Sequence, residues 1–537
     1  MTQIPKYFSF ILFLFFLFWY FIFMSGHLGG DSFLNYLTTE SLILEGNLAI
    51  NDQPDREFQI PELRKNFQTV LDSPGQTPNG KVYSPYGIGM ILIQVPFFIV
   101  GYLIAKVLPQ IPQDYSTLFF VAMTNVFIIS LICLLFYHLA RLFKFNPSRS
   151  LYLTIALGIC TFLFPFARQG FIEPLTILGI YTALFFLFRW QRQPKLYFII
   201  IAGIAYGWAI LTRFDCIMYF PFILGYIYYT KKTFRGKHEA LVFSLLSAAA
   251  VFLVLCYNFF RFGNFLNFGY HGQFEEYLSF SPINILNNLY ALLLSPGSAL
   301  VFYAPVIGLA VFGIKPFLRR FTPEGILMGC IVIINILYIC VLARFFNGGL
   351  VWGPRYNLLS IPTLVLVAGS GIDFIKRIRL RRYILVGVLV LGFLFQMPSV
   401  LVNSAQMTSR AITVIPLELV DFAPEYSPIV LGYYQICSAV TNAVAGHHLS
   451  IPVTYDTHAA TLPFPRPLYD NAIPLEGVDE FDLWFIHVFR YDFVSNYLKI
   501  FTVIILLGMI VTTIILGRKL LRKIKELDLL VSGANFN

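Results

Sequence analysis

The chain has 537 residues, 57% of them hydrophobic and only 12% charged, with a mean hydropathy of +0.71. That mix excludes a water-soluble globular chain, in which charged residues make up about a quarter. A net charge of +10 would suit nucleic acid, but basic residues in short loops also orient membrane helices, and their distribution points to membrane orientation with no nucleic-acid partner.

Apolar runs near the roughly 20 residues that a bilayer requires recur along the chain. In order they are 8–24, 87–107, 115–137, 150–166, 172–188, 196–212, 214–229, 240–260, 299–314, 325–343, 356–372, 383–400 and 498–517. The densest basic loops hold Arg141, Lys144 and Arg149; Arg189, Arg192 and Lys195; Lys231 to Lys237; Lys315 to Arg320; Lys376 to Arg382; and the tail from Arg518 to Lys525. From 115–137 onward they follow every second segment, so all share one side, the cytoplasmic one. Lys6 asks for that side too. Both demands are met when one early segment does not cross. Segment 87–107, which opens Tyr83-Ser-Pro-Tyr-Gly-Ile-Gly and carries Pro96, is predicted to lie at the outer surface. The expectation is an all-α, multi-pass protein of the bacterial inner membrane with about 12 crossings and both termini cytoplasmic.

Lys6 ahead of an apolar core resembles a secretory signal, but the bulky Phe content and the lack of an A-x-A site before His27 predict a retained anchor. The seven cysteines form no CxxC pair and imply no disulfide framework. Four stretches then face outward: 25–114, 167–174, 261–298 and 401–497. The organisation expected is a membrane module over 1–400, an extracytoplasmic segment at 401–497 suited to acceptor binding or to a lid, and a last crossing with a basic tail over 498–537.

Asp31 follows a Gly-Gly pair just after the first apolar run, and a carboxylate at the mouth of a membrane helix is costly unless it has work to do. It could instead cap the helix starting near Phe33, although no Glu or Gln three residues on completes a capping box. Glu40, nine residues later, falls on the opposite helical face and reads as a solvated charge. Glu173, before Pro174, is either a first-turn acid favoured by the helix dipole or a second working carboxylate. Arg355 follows Pro354 at the start of an inward-running helix, beside free backbone N–H groups. Its fork suits phosphate, as would those of Arg168, Arg213 and Arg344; the plain alternative is snorkelling to ordinary lipid phosphates. Arg213 and Asp215 share one tight turn and read as a local ion pair. Tyr83, Tyr86, His271 and Tyr356 are candidate substrate contacts. His447, His448, Asp456 and His458 fit no standard zinc spacing.

The order of these features resembles the GT-C superfamily of polyprenyl-phosphate-sugar-dependent glycosyltransferases, closest in style to protein O-mannosyltransferase, aminoarabinose transferase and RgtA/B/C/D-like members. The resemblance covers roughly residues 5–400. It matches Asp31, in Gly-Gly-Asp-Ser, to the family's first-loop aspartate and Glu173 to its second-loop acid. By likeness to oligosaccharyltransferases it makes Arg355 a donor-phosphate ligand. Ser32 stands where many mannosyltransferases carry a Glu, and no Asp-x-Asp occurs in the second loop. A divalent cation (Mg or Mn), if one takes part, would fall to Asp31 and Glu173, but no firm metal site is expected.

The implied chemistry is coherent by itself. A sugar on a lipid phosphate already has a good leaving group, so one carboxylate base for the acceptor hydroxyl suffices, unlike the acid–base pair of glycoside hydrolases. Arginines would stabilise the charge gained by the departing phosphate. The resemblance thus implies an inverting transfer to a glycan, glycolipid or protein hydroxyl on the outer face. Two alternatives stand beside it. An O-antigen-ligase-like transferase would use lipid diphosphates and depend on late-loop Arg and His rather than Asp31. A lipid-sugar transporter would carry ionisable residues near the membrane midplane, whereas here they cluster at segment edges.

Overall fold

A computed structural model describes residues 6–50, 67, 80–230, 234–269, 278–342, 351–375, 379, 381–453 and 472–533. The predicted apolar runs are helices, with boundaries moved where proline or a turn intervenes. Lys6–Ile22 opens the chain and is held in the core by Phe8, Phe16 and Tyr20, the Tyr20 hydroxyl donating to the Gly158 carbonyl at 2.8 Å. Run 150–166 stops as an α-helix at Ile159 and resumes as a 3-10 turn, Pro165–Arg168. Runs 214–229 and 356–372 likewise begin as 3-10 turns, Phe214–Tyr219 and Arg355–Ser360, before the α-helices Phe220–Thr230 and Ile361–Ile375. Pro221 and Pro362 sit in the first turn of those two α-helices, where a missing N–H costs nothing. Pro282–Leu294 is a further apolar helix of 13 residues, too short to register as a spanning run.

Six helices among the described residues are long and apolar enough to cross a membrane: Ile88–Val107, Gln113–Leu142, Lys237–Phe262, Thr322–Cys340, Tyr383–Leu401 and Asn496–Leu529. Ile88–Val107, the segment predicted at the surface, is one continuous helix that keeps Pro96 inside it. Small residues bring helices together where no hydrophobic drive operates between them. Glu173–Arg192 lies against Leu196–Thr212 at Gly179, where a Cβ would stand 2.9 Å from the Ala205 carbonyl.

Among the described residues, those at the basic loops around Arg149, Arg192 and the tail meet at one end of the bundle. Arg149 pairs with Asp373 at 2.7 Å, the Ser148 amide donates to Asp528 at 3.3 Å, and Arg192 lies 3.9 Å from Glu324. The same helices carry Glu173, Thr212 and Arg355 at their other ends. Asn496–Gly533, at 38 residues, is roughly 57 Å long, which is how its tail reaches Ser148.

Within 401–497 the described residues up to Val478 form a small unit whose own core includes Met407, Ile415, Val420, Leu431, Ile451 and Ile473, while Trp484 and Val488 join the main core of the bundle. The segment contains Ser404–Ile412, Leu417–Phe422, Pro428–Ala445 and Trp484–Arg490, plus two short antiparallel strands, Ser450–Pro452 (β1) and Ala472–Pro474 (β2). These strands are a small departure from the all-α expectation. The unit is pinned to the bundle by Trp484 N–H to the Met24 carbonyl and Asp482 N–H to the Leu401 carbonyl, each 2.9 Å.

Candidate active site

A cavity of about 1590 Å³ opens between the bundle end opposite the basic loops and the outer unit. Asp31, Glu173, Arg168, Arg213, Arg355, Tyr86 and Tyr356 all line it. Asp31 is the first residue of the helix Asp31–Leu44. Gly30 ahead of it takes φ 52°, ψ −130°, a conformation favouring glycine, and offers no side-chain cap. Asp31 does not cap the helix either. Its Oδ2 accepts from Arg355 Nη1 at 2.8 Å, and the side chain keeps 33% exposure.

Glu173 opens its helix with Pro174 behind it and is almost fully buried. Its Oε1 lies 3.3 Å from Arg355 Nε and 3.5 Å from Arg213 Nη1, while Oε2 has no hydrogen-bond partner. Arg355 stacks on Phe171 and Tyr356, with its guanidinium carbon 4.7 and 5.1 Å from the ring centres, and Arg213 lies 5.2 Å from the Tyr356 ring centre. Burial opposes the charge on Arg355, but Glu173 and Asp31 more than offset it, so the guanidinium stays protonated. Arg213 binds Asp215 at 2.5 Å, the local pair expected from the sequence. Two guanidinium groups and three carboxylates thus share one corner, joined by contacts that a charged ligand could replace.

Arg355 touches both Asp31 and Glu173, and so fills the position between them that a divalent cation would need. Among the described residues no three His, Cys, Asp or Glu side chains gather with metal spacing.

Arg168 lines the same cavity in a different condition. Its Nη1 donates to the Ser399 carbonyl at 2.5 Å and to that of Val402 at 3.1 Å, and Nη2 to Asp482 Oδ2 at 2.8 Å. Asp482 Oδ1 in turn lies 2.8 Å from His487 Nε2. The His487 ring meets His27 edge to face with centroids 4.4 Å apart, and the Tyr491 hydroxyl lies 3.2 Å from His27 Nε2. Burial resists ionisation of Asp482, yet Arg168 and His487 hold it well below the usual carboxylate range. Burial and then His487 bring His27 down to about 4, so its imidazole is neutral at pH 7.

Tyr83 lies away from the cavity lining, bridging to Ala49 and packing on Phe262. His271 and Arg344 fall outside the described residues, as do Asp456 and His458. His448 bonds Asp479 at 2.8 Å. Glu40 is corrected: it is 3% exposed and accepts from the Tyr36 hydroxyl. Its helix packs beneath Ile88–Val107 and Gln113–Leu142, as Thr39 to Gln94 and Tyr36 to Thr117 contacts mark, so the face judged solvated is covered. Sequence reasoning missed His27, Asp482 and His487. The only local signal was a histidine four residues ahead of Asp31, since Asp482 and His487 belong to no motif.

No protein-family model and no curated protein matches the sequence. In three dimensions the chain is similar to ArnT from Cupriavidus metallidurans, solved with undecaprenyl phosphate, at 15% identity over 97% of this chain and 74% of that one, with a TM-score of 0.46. It is also similar to the archaeal oligosaccharyltransferase AglB from Archaeoglobus fulgidus, solved with an inhibitory peptide and a dolichol-phosphate. There the identity is 12% over 82% of this chain and 58% of that one, with a TM-score of 0.45. A second structure of the Archaeoglobus fulgidus oligosaccharyltransferase, tethered to an acceptor peptide with the NVT sequon, gives 12% identity, the same coverage and a TM-score of 0.41.

Proposed function

We propose that this protein is an integral membrane glycosyltransferase that moves a sugar from a polyprenyl-phosphate donor to a hydroxyl acceptor on the extracytoplasmic side, with inversion. The observation that carries this reading is the convergence of Asp31, Glu173 and Arg355 on one cavity. Asp31 is the general base: it takes the acceptor hydroxyl's proton as that oxygen attacks the anomeric carbon. The carbon–oxygen bond to phosphate breaks, and its electron pair leaves with the phosphate.

Arg355 faces that developing charge with a guanidinium already held protonated. Phosphate drawing Arg355 toward itself would loosen the 2.8 Å pair and release the Asp31 carboxylate at the moment a base is required. Glu173 keeps both arginines aligned through Oε1, and Arg213 supplies a second positive group. The apolar cavity wall around Ile210, Leu211, Met218, Val254 and Leu342 suits the isoprenoid chain.

The topology follows the same reading: about twelve crossings, both termini in the cytoplasm, and Ile88–Val107 on the outer face of a bacterial inner membrane. The gathering of Arg149, Arg192, Asp373 and Asp528 at the end opposite Asp31 supports it, since basic loops favour the cytoplasm.

The test is incubation of the purified full-length protein with a panel of decaprenyl- and undecaprenyl-phosphate sugars, following release of free polyprenyl phosphate. Release by the wild type and its loss in Asp31→Asn is the expected result. No release from any donor, or an Asn variant as active as the wild type, overturns the proposal.

A further inference from the structure

The two walls of the cavity differ in make. The bundle side carries the charged cluster of Asp31, Glu173, Arg213 and Arg355 beside apolar residues, whereas the outer unit contributes Asn403, Gln406, Ser409, His487 and Arg490, with Phe481 and Tyr491 among them. Such a wall offers a row of hydrogen-bonding groups interleaved with aromatic faces. It also contains a side chain fixed with more precision than packing requires.

Asp482 holds His487 by Nε2 at 2.8 Å while its other oxygen is bound by Arg168, also at 2.8 Å. An ionised carboxylate only accepts hydrogen bonds, so Nε2 carries the hydrogen that joins them and Nδ1 is the ring nitrogen left for a ligand. His27 closes on the ring edge to face, and is itself held by the Tyr491 hydroxyl. Ring orientation is therefore set before any ligand arrives, which lowers the ordering cost of binding one.

We infer that the outer wall is the acceptor subsite, with His487 Nδ1 hydrogen-bonded to an acceptor hydroxyl, and that the acceptor is accordingly a saccharide. This rests on the glycosyltransferase reading above and adds the acceptor's chemical class to it. Asp31 still takes the proton of the reacting hydroxyl. His487 gains none; it holds a neighbouring hydroxyl of the same acceptor and so directs which oxygen meets the anomeric carbon. A peptide added as a strand would need a sheet edge, and neither β1 nor β2 contributes a residue to the cavity lining.

The experiment compares His487→Gln with His487→Asn in the full-length protein, using a donor that the wild type consumes. Methyl glycosides of common hexoses and pentoses are the acceptors, and a Ser/Thr peptide is the comparison. Gln places its amide near Nε2, so it keeps the Asp482 bond and loses the contact at Nδ1. Asn places its carbonyl near Nδ1 and loses the Asp482 bond.

The expected result is an acceptor KM raised about tenfold or more in the Gln variant, with kcat falling by less and the Asn variant nearer the wild type. The reverse order, Gln near wild type and Asn impaired, assigns His487 to holding the fold and overturns the inference. Transfer to the peptide with no methyl glycoside used overturns the saccharide assignment. A wild type that releases no polyprenyl phosphate from any donor sinks the glycosyltransferase reading itself, a result separate from either of these.

Discussion

Two arginines, Arg168 and Arg355, line one cavity and are both nearly buried, yet their surroundings differ in kind. Arg168 donates to two backbone carbonyls and to Asp482, all fixed parts of the fold that join the bundle to the outer unit. Nε makes no hydrogen bond in either arginine, but Arg355 meets side chains alone: the partly exposed Asp31, one oxygen of Glu173 and the Tyr356 hydroxyl. A guanidinium held by backbone carbonyls acts as a clasp. One bound only to side chains can exchange them for a ligand. Burial alone does not separate a structural arginine from a working one; the identity of its acceptors does.

The strongest way to break this contrast is Asp31→Asn, which keeps the shape and removes the base. Turnover of the lipid-phosphate donor should fall by about 10³-fold, within the range general bases contribute, while the thermal midpoint in detergent stays near that of the wild type. A midpoint that collapses with the activity would make Asp31 a structural counterion. Arg168→Ala should do the opposite, since it leaves Asp482 buried without its cation. A loss of about 3 kcal/mol in stability is expected, read as earlier proteolysis of the outer unit during heating.

Acidification sharpens the outer half of the comparison. His27 is held at about 4, against an ordinary value of 6.5, so the unfolded chain binds a proton that the folded one refuses between those values. Its contribution is therefore present above pH 6.5 and is lost as pH falls toward 4, by about 2–3 kcal/mol. Thermal midpoints measured across that window should drop in the wild type and flatten in His27→Gln. The smallest effect concerns the turn that delivers Asp31. Gly30→Ala forces a side chain into φ 52°, ψ −130° and should cost about 1–2 kcal/mol, with a matching fall in activity as the carboxylate shifts. An unaltered Ala variant would show that the turn does not position Asp31.

Much of this site was legible before any coordinates. Asp31 and Glu173 stand at helix starts because glycine and proline punctuate the chain beside them, and such punctuation is local. The pairing of Arg213 with Asp215 is equally local, two residues apart in one turn. The solvated reading of Glu40 failed for the converse reason: helical phase gives a face, but not what covers that face. The start of the helix after Pro354 was displaced to Ile361 by a 3-10 turn, a detail that hydropathy does not register.

What the sequence by itself determined is the solvent and the skeleton: a membrane chain, its apolar helices, and carboxylates at the mouths of two of them. Hydropathy, turn chemistry and capping act within a few residues, so they can be read from the chain alone. Tertiary structure decided the partners. Arg355 reaches Asp31 across 324 positions, Arg168 is claimed by Asp482 across 314, and a histidine far along the chain comes to rest on His27. An ion pair forms with whichever opposite charge packing brings within about 4 Å, and that proximity is a property of the assembled bundle rather than of any segment within it.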